Sequence, residues 1–461
     1  MKTLNKTNHL KGFYKILFSL AVPIILQNLM QTFVNMLDTI MVGRLGAVEI
    51  ASVGLGNQVY FMLNMVIFGI TSGCSIFISQ YWGQNNIVQI RRVTGIMLAG
   101  STIFSTVFAV VAFFAPEFLL GLYTNDSAVI AEGAGYLKIV CLSYPVTAIS
   151  IAYQMAFRST EHVRLPMVCT GVSLILNAIL NTIFIFGVDF SSIGLNFVIP
   201  AFGVKGAAIA TLICRTVEFL IAIIYSYSKK YEVCGKFKEF WTFNKEFLFK
   251  IVKTSIPVLI SETVWGLGIT FQNGIFAHCG TDAIAAFNIT NTISQLTWVF
   301  FIGMGNAASI ILGKKIGSSD IEEAKAYVHR FSWFMPLMGA FIGLLLFPLS
   351  KMLPVFFNVE ANVLQMAKSM IYVLIFVYPL RAFNMLLIVG VCRAGGDTFF
   401  GMVADNGFMW LVAIPLGMFA AFTLNLPPWQ IMILIESEQL LKTVVGIPRI
   451  MSGKWLHFLT K

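Results

Sequence analysis

Apolar runs long enough to cross a bilayer recur along the whole chain, separated by short polar gaps. Twelve spans are predicted, at approximately 16–42, 50–80, 93–115, 128–157, 165–187, 204–228, 250–277, 284–312, 328–349, 363–392, 400–424 and 429–447. The runs are continuous rather than alternating, which predicts helices and not the strands of a membrane barrel. The twelfth is the weakest, because Glu436, Glu438 and Lys442 interrupt it. A single long charged connection divides the spans into two sets of six. The pattern therefore predicts an all-α membrane protein of twelve transmembrane helices in two six-helix bundles. The expected boundaries are an N-terminal lobe over 1–228, a cytoplasmic linker loop over 229–250 and a C-terminal lobe over 251–461.

A self-comparison gives the same division. Shifted by 234 residues, the first half lies on the second without a gap. Pro23 meets Pro257, Gly46 meets Gly280, Asn57 meets Asn291, Gly69 meets Gly303, Gly83 meets Gly317, and Tyr144–Pro145 meet Tyr378–Pro379. With six spans each, both halves insert with the same orientation. That is a parallel repeat, an arrangement in which transporters place substrate between or within the halves.

Charge fixes the expected orientation. Basic residues gather in the N-terminal arm (Lys2, Lys6, Lys11, Lys15), in the linker, and in every second gap thereafter (Arg91, Arg92, Arg158, Arg164, Lys314, Lys315, Arg393), with Arg449, Lys454 and Lys461 at the end. The opposite gaps hold only Arg44, Lys205 and Lys351. Both termini are therefore expected in the cytoplasm and the chain in the inner (plasma) membrane. The net charge of +10 is topology control of this kind, so no nucleic-acid partner is expected. The seven cysteines show no paired spacing and read as small core residues.

Against this background, polar groups inside the spans carry the functional information. The stretch Leu17–Gly46 holds Pro23 and Asp38. An intramembrane carboxylate is expensive and by default faces a cavity. Pro23 removes a helix hydrogen bond and permits a bend. In the fifth span Asn177 and Asn181 are four apart and share a helix face. By span direction Asp38, Asn181 and Thr211 fall at similar depth, with Asn177 one turn deeper. One carboxylate with amide and hydroxyl oxygens suits Na⁺, or a proton held on the acid. Interhelical hydrogen bonding is the structural alternative for the Asn and Thr residues. The halves differ chemically. Gln272 stands at the register of Asp38, while Glu262 stands at the register of Asn28. Glu262 is a candidate for a cationic substrate, a second cation or a buried partner. There is no phosphate-binding GxxxxGK[ST] loop, HExxH, GxSxG, Cys–His cluster or filter-like loop, so an ATP-driven pump, an enzyme and a selective pore are not expected. No cofactor is expected beyond a coupling ion, H⁺ or Na⁺.

PIILQNLMQTFVNMLDTIMVGRLG at Pro23–Gly46, the SQYWGQNN end of the second span, LNAILNTIFIFG at Leu176–Gly187, GVKGAAIAT at Gly203–Thr211, GNAASIILGKKIG at Gly305–Gly317 and RIMSGKW at Arg449–Trp455 resemble the multidrug and toxic compound extrusion (MATE) family, in its bacterial form. The resemblance covers nearly the whole chain. It implies a V-shaped pair of bundles that exports organic cations or other amphiphiles in exchange for Na⁺ or H⁺ by rocking of the two lobes. Asp38 matches the family's first-helix acid, Pro23 its bending proline, and Asn177 and Thr211 cation-site positions. Asn181 departs, because some members carry a second Asp there. Gln154 stands where some members have Asn, so Asp38, Gln154 and Glu262 are the expected substrate contacts. Trp265 and Ala382 occupy positions where one branch has acids, and Glu262 resembles a seventh-span Glu of other bacterial members. The runner-up is a lipid-linked oligosaccharide flippase of the same broad superfamily. A monomer in contact with membrane lipid is expected in either case.

Overall fold

The computed structural model describes residues 2–189, 198–357 and 359–460, with backbone alone for 2–11 and 356. Lys461 and the side chains of Lys2, Lys6 and Lys11, expected at the inner face, lie outside the described residues. Twelve long helices run in chain order: α1 (Lys2–Gly43), α2 (Ala47–Gly83), α3 (Ile87–Phe114), α4 (Ser127–Ser159), α5 (Arg164–Phe186), α6 (Gly203–Ser228), α7 (Lys245–His278), α8 (Thr281–Gly317), α9 (Ile321–Lys351), α10 (Ala361–Gly395), α11 (Thr398–Thr423) and α12 (Pro428–Met451). Ten are long and apolar enough to span a bilayer by that measure alone. The other two, α7 and α12, carry Glu262 and the Glu436–Glu438–Lys442 group, and both are built as long helices in this twelve-helix membrane protein.

Local chemistry sets several ends. The Asp126 carboxylate caps α4 by accepting from the backbone N–H groups of Ala128 and Val129. The α7–α8 turn passes through Gly280 at φ +105°, a conformation that side chains disfavour. After α5 a two-residue antiparallel pair, β1 (Val188–Asp189) with β2 (Val198–Ile199), leads into α6.

The described chain forms two compact units. One comprises Leu26–Ile78 and Ile87–Ile251. Its core joins Val42, Val53, Leu63, Ala112, Leu137, Tyr144 and Val204. Here α5 packs on α6 and α3 on α4. The α5–α6 contact is close because a Cβ on Gly206 would run into the carbonyl oxygen of Phe184. Small residues that bring backbones together are the usual device of membrane helices. The connection after α6 folds back onto this unit. The Arg91 guanidinium donates to the Glu232 carbonyl (3.0 Å) and to the Glu239 carboxylate (2.8 Å), and His162 pairs with the Glu232 carboxylate (2.9 Å). Partial burial, the largest single influence, would raise the Glu232 carboxyl, but the His162 hydrogen bond, a backbone hydrogen bond and the charges of His162 and Arg91 together hold it below its ordinary range.

The second unit comprises Met1–Ile25, Ser79–Asn86 and Val252–Lys461. Here α9 and α8 pack on α10, and α10 on α12. A π-helical stretch, Leu386–Cys392, delivers Arg393 at the end of α10. Such stretches re-aim the side chains that follow them. Arg393 was expected in a cytoplasmic gap as a topology residue. It is instead buried against Glu262, because a carboxylate on α7 offers it a partner inside the unit. The chain end is fastened to the same region. Trp455 is fully buried, Arg449 makes a bidentate pair with Asp397 (2.7 and 2.9 Å), and Gln80 donates to the Ala394 carbonyl while accepting from the Leu459 N–H. The SQYWGQNN and RIMSGKW stretches thus meet at one place.

Candidate cation-coupling site

Helix α1 presents Gln27, Gln31 and Asp38 at spacings of four and seven, which place all three on one face. Within the first unit that face meets α4, α5 and α6. The Asn181 amide Nδ2 donates to Asp38 Oδ1 at 2.5 Å and to Asn177 Oδ1 at 3.1 Å. Asn177 and Asn181 are buried, the latter completely. The Asn181 Oδ1 atom is buried with no hydrogen-bond partner among the described residues. Orienting the amide this way is the only choice that avoids placing an oxygen against the carboxylate.

Asn181 Nδ2 is thus shared between the Asp38 carboxylate and the Asn177 oxygen, while the Asn181 oxygen beside them is left without a donor. An unsatisfied buried acceptor costs about 1–3 kcal/mol. Thr211 is half-buried on α6, and among the described residues no hydrogen bond joins it to this cluster. Pro23 lies in the interior of the continuous α1 helix.

Adjacent polar groups in this unit form a closed network. Arg158 donates to Gln27 Oε1 (2.5 and 3.1 Å), and Gln27 Nε2 donates to Gln154 Oε1 (2.6 Å) and Thr170 Oγ1 (3.2 Å). Gln154 Nε2 and Thr170 Oγ1 donate to Glu218 Oε1, and Arg215 donates to Glu218 Oε2 (2.9 Å) and Gln31 Oε1 (3.2 Å). Gln154, expected to meet substrate, has both its oxygen and its amide engaged here. Two acids, Asp38 and Glu218, face two guanidinium groups, so the unit's interior charge balances. Gln27, Gln31 and Thr170 were not singled out from sequence. Their spacing of seven and eleven residues from Asp38 was the signal available for the two glutamines.

The remaining candidate, Glu262, belongs to the second unit. Arg393 donates to it in a buried ion pair, with side-chain exposures of 8% and 14%. The charge that the sequence offered to a cationic substrate is already met by a guanidinium. Trp265, three residues on, stacks on Trp298 at 6.2 Å, and Ala382 is fully buried.

Comparison with known proteins gives the family. The chain is 25% identical over 398 residues to a probable multidrug resistance protein, YoeA, of Bacillus subtilis, covering 86% of this chain and 84% of that one. It is 24% identical to the probable multidrug resistance protein NorM of Thermotoga maritima, covering 96% and 93%. Among solved structures, the MATE transporter VcmN of Vibrio cholerae in the bent form aligns with a TM-score of 0.85 at 19% identity, over 97% of this chain and 99% of that one. A MOP superfamily transporter from Pyrococcus furiosus aligns at 0.81 and 20%, over 95% and 96%. The MatE family model matches residues 23–183 and again 257–419, two segments that start at the offset of the internal repeat, and the chain belongs to that family.

Proposed function

We propose that this protein is a secondary active antiporter that exports organic cations or other amphiphilic xenobiotics, with Asp38 as the coupling acid. The named relatives are probable multidrug resistance proteins, which supports the substrate class. The observation that supports the coupling role is the Asp38 carboxylate held by Asn181, whose own Oδ1 is buried and unpartnered beside it. The driving force is an H⁺ or Na⁺ gradient, and one charge crossing the membrane is worth about 2.3 kcal/mol per 100 mV.

In the ionised state Asp38 accepts from Asn181 Nδ2. When a proton binds, the carboxyl becomes a donor and the amide oxygen becomes its natural partner, so the Asn181 amide turns over and releases Asn177. When Na⁺ binds, Asp38, Asn177 and Thr211 supply oxygens. Either event changes how α1 is held at Asp38, and Pro23, fifteen residues earlier, is the place where that helix yields most easily. Both termini face the cytoplasm in this scheme, by the distribution of basic residues.

The test is dye efflux from vesicles holding the purified protein, under an imposed H⁺ or Na⁺ gradient. Asp38→Asn is expected to fold, since the amide fits the same space, and to lose gradient-driven efflux under both ions. Efflux equal to the parent's would overturn the assignment.

A further inference from the structure

Besides the Arg449–Asp397 pair, helices α7, α10, α11 and α12 of the second unit enclose seven charged side chains, and they do not balance. Arg381 makes a bidentate pair with Glu436, and also donates to Ser294 Oγ (3.1 Å). Arg393 pairs with Glu262. Lys442 is left to serve two carboxylates at once: its Nζ lies 2.8 Å from Asp405 Oδ1 on α11 and 3.1 Å from Glu438 Oε1 one turn back on α12. Four acids thus face three bases. The surplus is local, because the other two pairs are each one to one.

The atom left over can be named. Glu438 Oε1 accepts from Lys442 and from Gln439 Nε2 (3.0 Å), whereas Glu438 Oε2 is buried with no hydrogen-bond partner among the described residues. Glu438 and Lys442 side chains are 5% and 3% exposed, and Asp405 is 19% exposed. A full second negative charge beside one ammonium, away from water, is costly. Neutralising it on the unpartnered oxygen removes that cost.

We infer that Asp405 and Glu438, sharing Lys442, hold one proton between them, carried on Glu438 Oε2, and that the C-terminal half is a second proton site independent of Asp38. A proton suits the site better than a metal ion. The ammonium already occupies the space between the carboxylates, and among the described residues no group of three His, Cys, Asp or Glu could hold a metal. The groups that face the site are Lys442, Glu436 and Gln439 on α12, Asp405 on α11, Arg381 and Arg393 on α10 and Glu262 on α7. The less buried Asp405 is the side from which the proton arrives and leaves, breaking the O–H bond on Glu438 as it goes to water.

The experiment is infrared spectroscopy of the full-length protein in Na⁺-free lipid vesicles, in an Asp38→Asn background so that Asp38 contributes nothing. The carbonyl stretch of a protonated carboxylic acid is expected at neutral pH. Glu438→Gln and Asp405→Asn should each abolish it, because either leaves one carboxylate for one lysine. Lys442→Met should raise its intensity about twofold, since both acids then lack a cation. A band unchanged in Glu438→Gln, or removed by adding Na⁺, overturns the inference. In the transport assay, with Asp38 intact, losing one coupled proton lowers the limiting dye accumulation about tenfold for each unit of imposed pH difference. Failure of all dye transport with the band pattern intact would strike the exporter reading and leave the proton site standing.

Discussion

Replacing Arg393 with Met tests whether the interior charges of the second unit are paired as the geometry shows. The guanidinium and the Glu262 carboxylate are in direct contact, with 8% and 14% of their side chains exposed. Removing one member of a buried pair leaves the other without its countercharge, which costs about 3–5 kcal/mol. At about 2–4 °C per kcal/mol for a unit of this size, the apparent melting temperature in detergent should fall by roughly 6–20 °C. The double variant Glu262→Gln with Arg393→Met removes both charges and should recover most of that loss, because uncharged replacements of a buried pair are often close to neutral. Thermal unfolding followed by a thiol-reactive dye reads the result directly, since six of the seven cysteines are buried and become reactive only on opening. A shift under about 2 °C for Arg393→Met, or a double variant as unstable as the single one, would refute the pairing.

Two further outcomes follow from the first unit. Gln27→Leu removes the acceptor of Arg158 and the donor to Gln154 together, and should cost about 1–3 kcal/mol in the same melting assay. A melting temperature unchanged in Gln27→Leu would refute the network as a stabilising element. The Glu232 carboxyl is held below its ordinary value, so the anchoring it provides is present above about pH 4.3 and is lost as pH falls through the depressed value. Pepsin cleavage between Tyr231 and Trp241 should therefore rise steeply in that acid range, while Glu232→Gln should be cut readily already at pH 5. Equal cleavage of parent and variant at pH 5 would refute the anchoring.

The helices were legible because membrane spans declare themselves one at a time, by length and hydropathy. The Asp38–Asn181 contact was legible for a related reason: span direction converts sequence position into depth, and two groups at one depth on neighbouring helices can meet. The ion pairs were not legible. Glu262 and Arg393 are 131 residues apart, Arg381 and Glu436 are 55, and Asp405 and Lys442 are 37. A single-helix pattern registers each of these only as a cost. Glu436, Glu438 and Lys442 thus looked like the weakness of the twelfth span, and Arg393 like an end-of-span charge. Partners chosen across helices depend on rotation about each helix axis, which hydropathy does not report.

The internal repeat shows where this limit comes from. Tyr144 and Tyr378 occupy equivalent positions and both are fully buried, so the packing role is kept in each half. Tyr378 shares a hydrogen bond of 2.5 Å with Thr297, but the position equivalent to Thr297 is Leu63, and the Tyr144 hydroxyl has no partner among the described residues. Asp38 and Gln272, and likewise Asn28 and Glu262, diverge in the same way. Apolar packing tolerates duplication because any side chain of similar volume serves, whereas a buried polar group needs one specific partner. Once a duplicated half loses such a partner, its polar groups are free to be re-paired for a different task. The first half sets two acids against two guanidinium groups, with a free amide oxygen beside one acid. The second, its Arg449–Asp397 pair apart, sets three cations among four acids.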